Sequence, residues 1–164
     1  MNSFWVRIVD ANFRPIAGAV VRAVTAEKKE INLRVEEDRW VGRSAPGNRV
    51  TIHVSAQGFE PETHTIVLRD EVTQVVIGLR QPGQLSYTYG NDRLAFVPVG
   101  DAFLMRVWGA GAADTFSKIA KKQELKWRPV SPQAGNATDD LFLRVEGDSE
   151  KAQGLSKELI RNRQ

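Results

Sequence analysis

The stretch that decides the fold is Val50-Thr51-Ile52-His53-Val54-Ser55-Ala56-Gln57-Gly58-Phe59-Glu60-Pro61. Apolar and polar side chains alternate along its first seven residues, which is the period of a β-strand with one buried face. Gly58 and Pro61 then interrupt the pattern, because both residues favour turns and weaken a regular strand. The stretch therefore predicts a half-buried strand that ends in a tight turn.

The same two-residue period runs through residues 3–79, in short sets separated by turn residues. The alternating sets are Phe4-Val6-Ile8, Val20–Thr25, Ile31-Leu33-Val35, Trp40-Val41, Val50-Ile52-Val54, His64-Ile66-Leu68 and Val75-Ile77-Leu79. About seven short strands at this spacing are typical of a sandwich or a barrel. We therefore predict an all-β sandwich over residues 1–80.

The pattern changes after Arg80-Gln81-Pro82-Gly83-Gln84, which reads as a linker or a tight crossover. The elements expected beyond it are a hairpin of 85–89 and 93–97, strands at 103–108, 125–130 and 141–145, a helix capped by Asp114, and a last helix capped by Asp148 or Ser149. From Phe103 on, the order is βαββα, one strand short of the ferredoxin-like unit. We predict a small α+β ferredoxin-like domain over 85–164 and expect the polypeptide to continue in a longer protein.

The amino-acid composition and the net charge exclude several classes of protein. The 164 residues contain no cysteine, so disulfides and thiolate metal sites are excluded, and the net charge is only +3. Basic residues cluster only at 118–128, which reads as a solvated helix face rather than a nucleic-acid stripe. No apolar run approaches a membrane span, and the first residues lack the pattern of a signal peptide. We expect a protein that is cytoplasmic, or exported without a visible signal, and that binds neither membrane nor nucleic acid.

Candidate catalytic and metal sites are weak. Ser44, His53 and Asp38 could form a triad only if the fold brought them together, and no Gly-x-Ser-x-Gly elbow is present. His53 and His64 lack a third metal ligand in any known spacing. The small residues at 109–113 precede a helix, but they lack the lysine and hydroxyl of a phosphate loop. We predict no catalytic residue, no cofactor and no metal.

The four tryptophans are the better guides to binding. Trp40 and Trp108 stand near strand ends and read as core anchors. Trp5 lies on the strand face opposite Phe4, and Trp127 alternates with charged residues, so both are candidates for an interface.

The first half resembles the carboxypeptidase regulatory-like family, which has a transthyretin-like sandwich. The resemblance rests on Val6–Asp10, on Arg14-Pro15-Ile16-Ala17-Gly18-Ala19-Val20-Val21 and on the stretch 50–61. The chain departs from the family pattern at Glu36–Trp40, where no glycine precedes the aromatic residue. The resemblance implies a non-catalytic module beside a catalytic domain.

The second half is similar to the propeptide domains found ahead of subtilisin-like serine proteases. The similarity rests on Phe103–Val107, Leu141–Val145 and the helix at 155–160. It implies an intramolecular chaperone and inhibitor that docks on a protease domain through one face of its sheet. The alternative is a stand-alone module that binds carbohydrate or a protein near Trp40 and Phe59. The interface candidates are Trp5, Trp40, Phe59, Leu104, Arg106, Trp127, Phe142 and Arg144.

Overall fold

The computed structural model describes residues 2–45, 47–68, 72–91, 102–129 and 139–162. These residues are mostly β-strand, with two α-helices. In chain order the strands are β1 (Asn2–Val9), β2 (Val20–Thr25), β3 (Glu30–Ile31), β4 (Arg34–Glu36), β5 (Arg39–Ser44), β6 (Arg49–Ser55), β7 (Glu62–Val67), β8 (Thr73–Gly78), β9 (Ser86–Asn91), β10 (Ala102–Trp108), β11 (Trp127–Pro129) and β12 (Asp140–Glu146). Helix α1 spans Ala112–Lys122, and helix α2 spans Ser149–Arg161.

The strands form two sheets. The large sheet has the order β11-β12-β10-β9-β8-β1-β5-β4, and the small sheet has the order β3-β2-β6-β7. Strand β9 pairs with β8 on one side and with β10 on the other, both antiparallel. The connection at 79–85, which the sequence predicted as a linker or a tight crossover, therefore joins two paired strands. The expected boundary between two domains falls inside one continuous sheet.

Strand β1 is an interior strand of this sheet, because it has a paired strand on each side. Phe4, Val6 and Ile8 are all fully buried, as the alternation predicted. The strand pairs parallel with β8 and antiparallel with β5, so every residue from Phe4 to Arg7 has a partner on each side.

One predicted strand is divided between the two sheets. The alternation of Ile31, Leu33 and Val35 indicated a single strand, but Ile31 pairs with β2 in the small sheet and Val35 pairs with β5 in the large sheet. Because the chain crosses from one sheet to the other near Asn32, the alternation continues while the hydrogen-bonding partner changes. Val35 is also 61% exposed, so the alternation in this run reported neither the pairing partner nor the burial of its last residue.

Two apolar cores lie on opposite faces of the large sheet. The sheet-to-sheet core joins the two sheets and contains Phe4, Val6, Ile8, Ala23, Val50, Ile52, Val54, Ile66, Leu68, Val75, Ile77 and Leu79. The helix-to-sheet core joins both helices to the other face and contains Val9, Val76, Leu85, Tyr87, Phe103, Met105, Val107, Ala112, Phe116, Ile119, Ala120, Leu141, Leu143, Val145, Ala152, Leu155, Leu159 and Ile160. Strand β8 contributes to both cores through alternate residues.

Both helices lie on the same face of β9–β12. Asp148 caps α2, as predicted, since its carboxylate accepts a hydrogen bond from the Lys151 backbone N–H at 3.0 Å. The prediction that Asp114 caps α1 was wrong, because the N-cap is Gly111 and Asp114 lies in the first turn. An acidic residue there still interacts favourably with the positive end of the helix dipole.

The sheet position beside β10 is occupied by β9, the strand that precedes it in the chain. The sequence predicted β9 as one arm of a hairpin whose second arm is 93–97, and that arm lies outside the described residues. Between 102 and 162 the described order is strand, helix, strand, strand, helix. Neither described helix is long or apolar enough to cross a membrane.

Candidate interaction surfaces

The outer face of β10 and β12 is the face that carries no helix. Strand alternation puts Phe103, Met105 and their odd-numbered neighbours into the helix-to-sheet core, so the even-numbered side chains point the other way. The interface candidates on this outer face are Leu104, Arg106, Phe142 and Arg144. Leu104 is only 6% exposed, whereas Phe142 is 37% exposed. The outer face is therefore closed at Leu104 and partly open at Phe142 and at Arg106, whose side chain is 39% exposed.

Arg106 is held in place by two kinds of contact. Its Nε and Nη2 atoms donate to the two carboxylate oxygens of Asp140 at 3.0 and 2.9 Å. Its guanidinium carbon lies 5.0 Å from the centroid of the Trp108 ring. A two-pronged pair with a carboxylate fixes the guanidinium plane better than a single hydrogen bond does. Arg106 thus presents a fixed positive charge beside an indole.

Strand β7 of the small sheet covers the β9–β10 part of this face. The His64 and Trp108 rings meet edge to face with centroids 4.9 Å apart. Thr88 Oγ1 lies 3.0 Å from the His64 ring nitrogens, and Ser86 Oγ donates to Glu62 Oε1 at 2.9 Å. We call this contact between β7, β9 and β10 the junction.

The junction holds two titratable side chains, His64 and Glu62, in a low-dielectric environment. Burial, with the positive charge of Arg106 close by, lowers the pKa of His64 to about 3. Burial raises the pKa of Glu62 above its usual 4.5, and the Ser86 hydrogen bond and the charge of Arg80 oppose that rise. Ser86 is fully buried and His64 is 5% exposed, so the cluster is closed to a substrate. The arrangement suits a structural polar contact.

A cavity of about 460 Å³ opens at the end of β12, next to Arg144. Its lining mixes cations and carboxylates, namely Lys126, Arg144, Lys151, Glu124 and Glu146. Because both signs of charge line it, the cavity does not favour a particular ionic ligand. It extends the outer face at the β12 end.

A second surface lies on the face of the large sheet away from the small sheet. We call it the Trp5 face and define it by Trp5, Arg7, Arg39, Val41 and Arg43, which alternate with residues of the sheet-to-sheet core. The guanidinium carbons of Arg7 and Arg39 lie 5.6 and 5.3 Å from the Trp5 ring centroid. Trp5 also packs partly against the helix-to-sheet core. One half-buried indole thus holds two guanidinium groups at the surface.

The other aromatic candidates are placed differently. Trp40 and Phe59 both pack partly against the sheet-to-sheet core, and both remain half-buried. Trp127 was expected at an interface, but its ring meets Phe116 of α1 edge to face at 5.1 Å. The register pairs Trp127 with Val145, so it shares the side of the sheet that the helices cover. Its flanking charges, not its own side chain, point outward.

The candidate triad is not assembled. The Ser44 hydroxyl accepts from Asn48 Nδ2 at 3.0 Å, and His53 Nδ1 lies 3.2 Å from Thr63 Oγ1 on the outside of the small sheet. The Asp38 carboxylate pairs with Arg7 at 3.2 Å. Each of the three groups therefore interacts with a different neighbour, and Ser44 is not hydrogen-bonded to His53.

The small-residue loop before α1 is bonded within the protein. Gly111 N–H donates to the Asp139 carboxylate at 3.0 Å, and Gly109 N–H donates to the Asp139 carbonyl at 2.9 Å. These donors are already used, so the loop offers little to a phosphate. Within the described ranges, no group of three or more histidine, aspartate or glutamate side chains could hold a metal ion.

Sequence reasoning missed the junction partners Glu62, Arg80, Ser86 and Thr88. A signal was present, since Glu62 and His64 occupy the inward positions of an alternating strand whose other inward residues are apolar. Polar side chains at core positions usually have a partner across the core. The identity of that partner was not readable, because β9 lies more than twenty residues further along the chain.

No protein-family model matches the chain, and no match is found among curated proteins.

Proposed function

We propose that this chain is a non-catalytic docking and chaperone region of a larger protein, and that its partner is a subtilisin-like serine protease domain. The observation that carries the proposal is the sheet order β11-β12-β10-β9, antiparallel throughout, with both helices on one face. This is the strand order of a ferredoxin-like unit in which β9 takes the place of the last strand. The resemblance to propeptide domains then assigns docking to the helix-free face.

Within this proposal, the docking surface lies on β12 and β11. The junction covers Thr88 of β9 and Trp108 of β10, so docking falls to β12 and β11, where Phe142 is an exposed apolar residue. Arg128 and Arg144 lie opposite each other in the register of β11 and β12, and both flank Phe142 on the same face. An exposed aromatic side chain beside arginines has the composition of a protein-binding hot spot. The transthyretin-like half then serves as a scaffold that holds β9 and β10 in place.

The test is inhibition of a subtilisin-like protease by the intact chain, measured with a chromogenic peptide substrate. We expect inhibition at micromolar chain, and we expect Phe142→Ala to weaken it about tenfold, since aromatic anchors carry much of an interface's energy. Val35→Ala is the matched control, because Val35 is an exposed apolar residue on a distant strand. No slowing of the protease at micromolar chain would overturn the proposal.

A second candidate is a stand-alone module for carbohydrate or protein. The half-exposed rings of Trp40 and Phe59 favour this candidate. Both rings pack against the edge of the sheet-to-sheet core and are only partly buried. Sugars stack on such rings through their apolar faces. Trp40→Ala should then abolish glycan binding while the chain stays folded, and a glycan array without hits would remove the carbohydrate version.

A further inference from the structure

A row of aromatic rings and cations crosses the helix side of the large sheet, from β5 to α2. Arg39 of β5 stands opposite Arg7 of β1 in the register, and both guanidinium groups lie over the Trp5 ring. Tyr89 of β9 lies on the same side of the sheet, because Val76 of β8 is the register partner of both Tyr89 and Arg7. The row therefore spans four neighbouring strands.

The row continues to α2 through the loop after β1. The Phe13 and Tyr89 rings stack with their centroids 6.5 Å apart, and Lys157 Nζ lies 5.9 Å from the Phe13 centroid. Burial raises the pKa of Tyr89 to about 12, and the charge of Arg7 opposes that rise, so Arg7 lies close enough to act on the Tyr89 hydroxyl. The members of this cation–ring row are all partly exposed, namely Arg39, Arg7, Trp5, Tyr89, Phe13 and Lys157.

The cation–ring row has more positive charge than the nearby carboxylates neutralise. Arg7 pairs with Asp38 at 3.2 Å, which accounts for one cation. Among the residues that the structure describes, no carboxylate lies within ion-pair distance of Arg39 or Lys157. Like charges directly opposite each other on neighbouring strands, as on Arg7 and Arg39, destabilise a sheet. An external anion at Arg39 would relieve that repulsion.

The spacing of Arg39 and Lys157 favours a ligand with several carboxylates. Arg39 stands on β5, whereas Lys157 lies over the ring that stacks with Tyr89 of β9. Strands β5 and β9 are three strand spacings apart, or roughly 14 Å, which is too far for one small anion to contact both ends of the row. Single-stranded nucleic acid is also disfavoured, because its bases stack on open ring faces, whereas the Trp5 and Phe13 rings already carry cations.

We propose that the cation–ring row binds an acidic segment of a partner protein, whose carboxylates pair with Arg39 and Lys157. Tryptophan, tyrosine and arginine are enriched among the residues that dominate protein interfaces, and the row contains all three. The Trp5 ring holds the guanidinium groups in place before the ligand arrives, which reduces the entropy lost on binding. The row lies on the opposite side of the large sheet from Phe142, so the inference does not rest on the proposed function.

The probe is a fluorescein-labelled peptide in which glutamate and serine alternate, and its binding to the intact chain is followed by fluorescence anisotropy. We expect saturable binding that weakens as salt rises to roughly 0.3 M, because exposed charge pairs are screened. Arg39→Gln should weaken binding about tenfold through the loss of a charge-assisted contact. Lys157→Gln should weaken it about threefold, since an ammonium group is a point charge. Arg49→Gln is the matched control, because it removes an exposed cation from the other sheet.

Four results would overturn the proposal. The first is the absence of saturable binding, and the second is an equal loss in Arg49→Gln and Arg39→Gln, which would show attraction to net charge alone. The third is tighter binding of a single-stranded thymidine oligonucleotide than of the peptide. The fourth is displacement of the peptide by an equal concentration of acetate, which would show a site for a single anion. Far-UV circular dichroism of each variant verifies that the fold is intact.

Discussion

At the scale of the residue, the junction histidine shows how a side chain's surroundings set its chemistry. His64 is buried between Thr88 and Trp108 with the charge of Arg106 nearby, and its pKa falls to about 3. A histidine with an ordinary pKa near 6.5 is protonated in the unfolded chain at mildly acid pH. Protons then bind the unfolded state more than the folded state, so folding is penalised as pH falls.

We expect the free energy of unfolding to lose about 2 kcal/mol from this one group between pH 8 and pH 5, because the folded imidazole stays neutral over this range while the unfolded one titrates. The variant His64→Gln should lack this loss. Glu62 acts in the opposite direction, since its raised pKa favours the folded state in acid, but it is present in both proteins and its effect cancels in their difference. Urea unfolding of both proteins at the two pH values measures the effect. A stability gap that does not change with pH would contradict it.

At the scale of the element, α2 docks on the sheet at a place where only glycine fits. A Cβ on Gly78 would overlap both the Tyr87 ring and Ile160 Cδ1. Tyr87 is fully buried between β8 and α2, and burial raises its pKa well above the ordinary value. The absence of a side chain on β8 therefore lets a large aromatic residue pack beneath the helix.

Gly78→Ala should lower the free energy of unfolding by about 3 kcal/mol, because a packed core accommodates an added methyl group only by shifting its neighbours. Gly154→Ala is the matched control within α2, where nothing lies within 4 Å of the added Cβ. It should raise stability by roughly 0.5–1 kcal/mol through helix propensity. Chemical denaturation measures both changes, and a tolerated Gly78→Ala would show that α2 sits more loosely.

At the scale of the whole molecule, the large sheet couples the two halves. Val76 of β8 lies in the helix-to-sheet core, while its neighbours Val75 and Ile77 lie in the sheet-to-sheet core. Strand β9 continues the same ladder into β10. Neither core can lose its packing without exposing one face of β8, so the two cores depend on each other.

We therefore expect the intact chain to unfold in a single transition. The far-UV signal, which follows the helices, and the near-UV tryptophan signal, which includes Trp40 beside the sheet-to-sheet core, should give the same midpoint in urea. Two separated midpoints would show that the halves fold as independent domains, as the composition change near Pro82 suggested.

Local patterns predicted most of the described strands and both helices. The alternation of Val50, Ile52 and Val54 identified a buried face, and Asp148, one of the two predicted caps, is the N-cap of α2. These features depend on backbone geometry and side-chain period, which neighbouring residues establish among themselves. The three-residue strand around Trp127 is too short for its period to indicate a face, and only the structure shows that the Trp127 ring meets Phe116 of α1.

Only the tertiary structure decided which strands pair with each other and to which sheet each strand belongs. The turn at Pro82 and Gly83 has the same chemistry whether it separates two domains or joins β8 to β9, and the run from Ile31 to Val35 alternates whether it stays in one sheet or crosses between two. Which strands pair depends on the free energy gained when surfaces that are distant in sequence bury each other. A short stretch of sequence carries no information about that free energy. The strand stretch at 50–61 could therefore be predicted from its own residues, whereas the junction and the Trp5 face exist only after the sheets have packed.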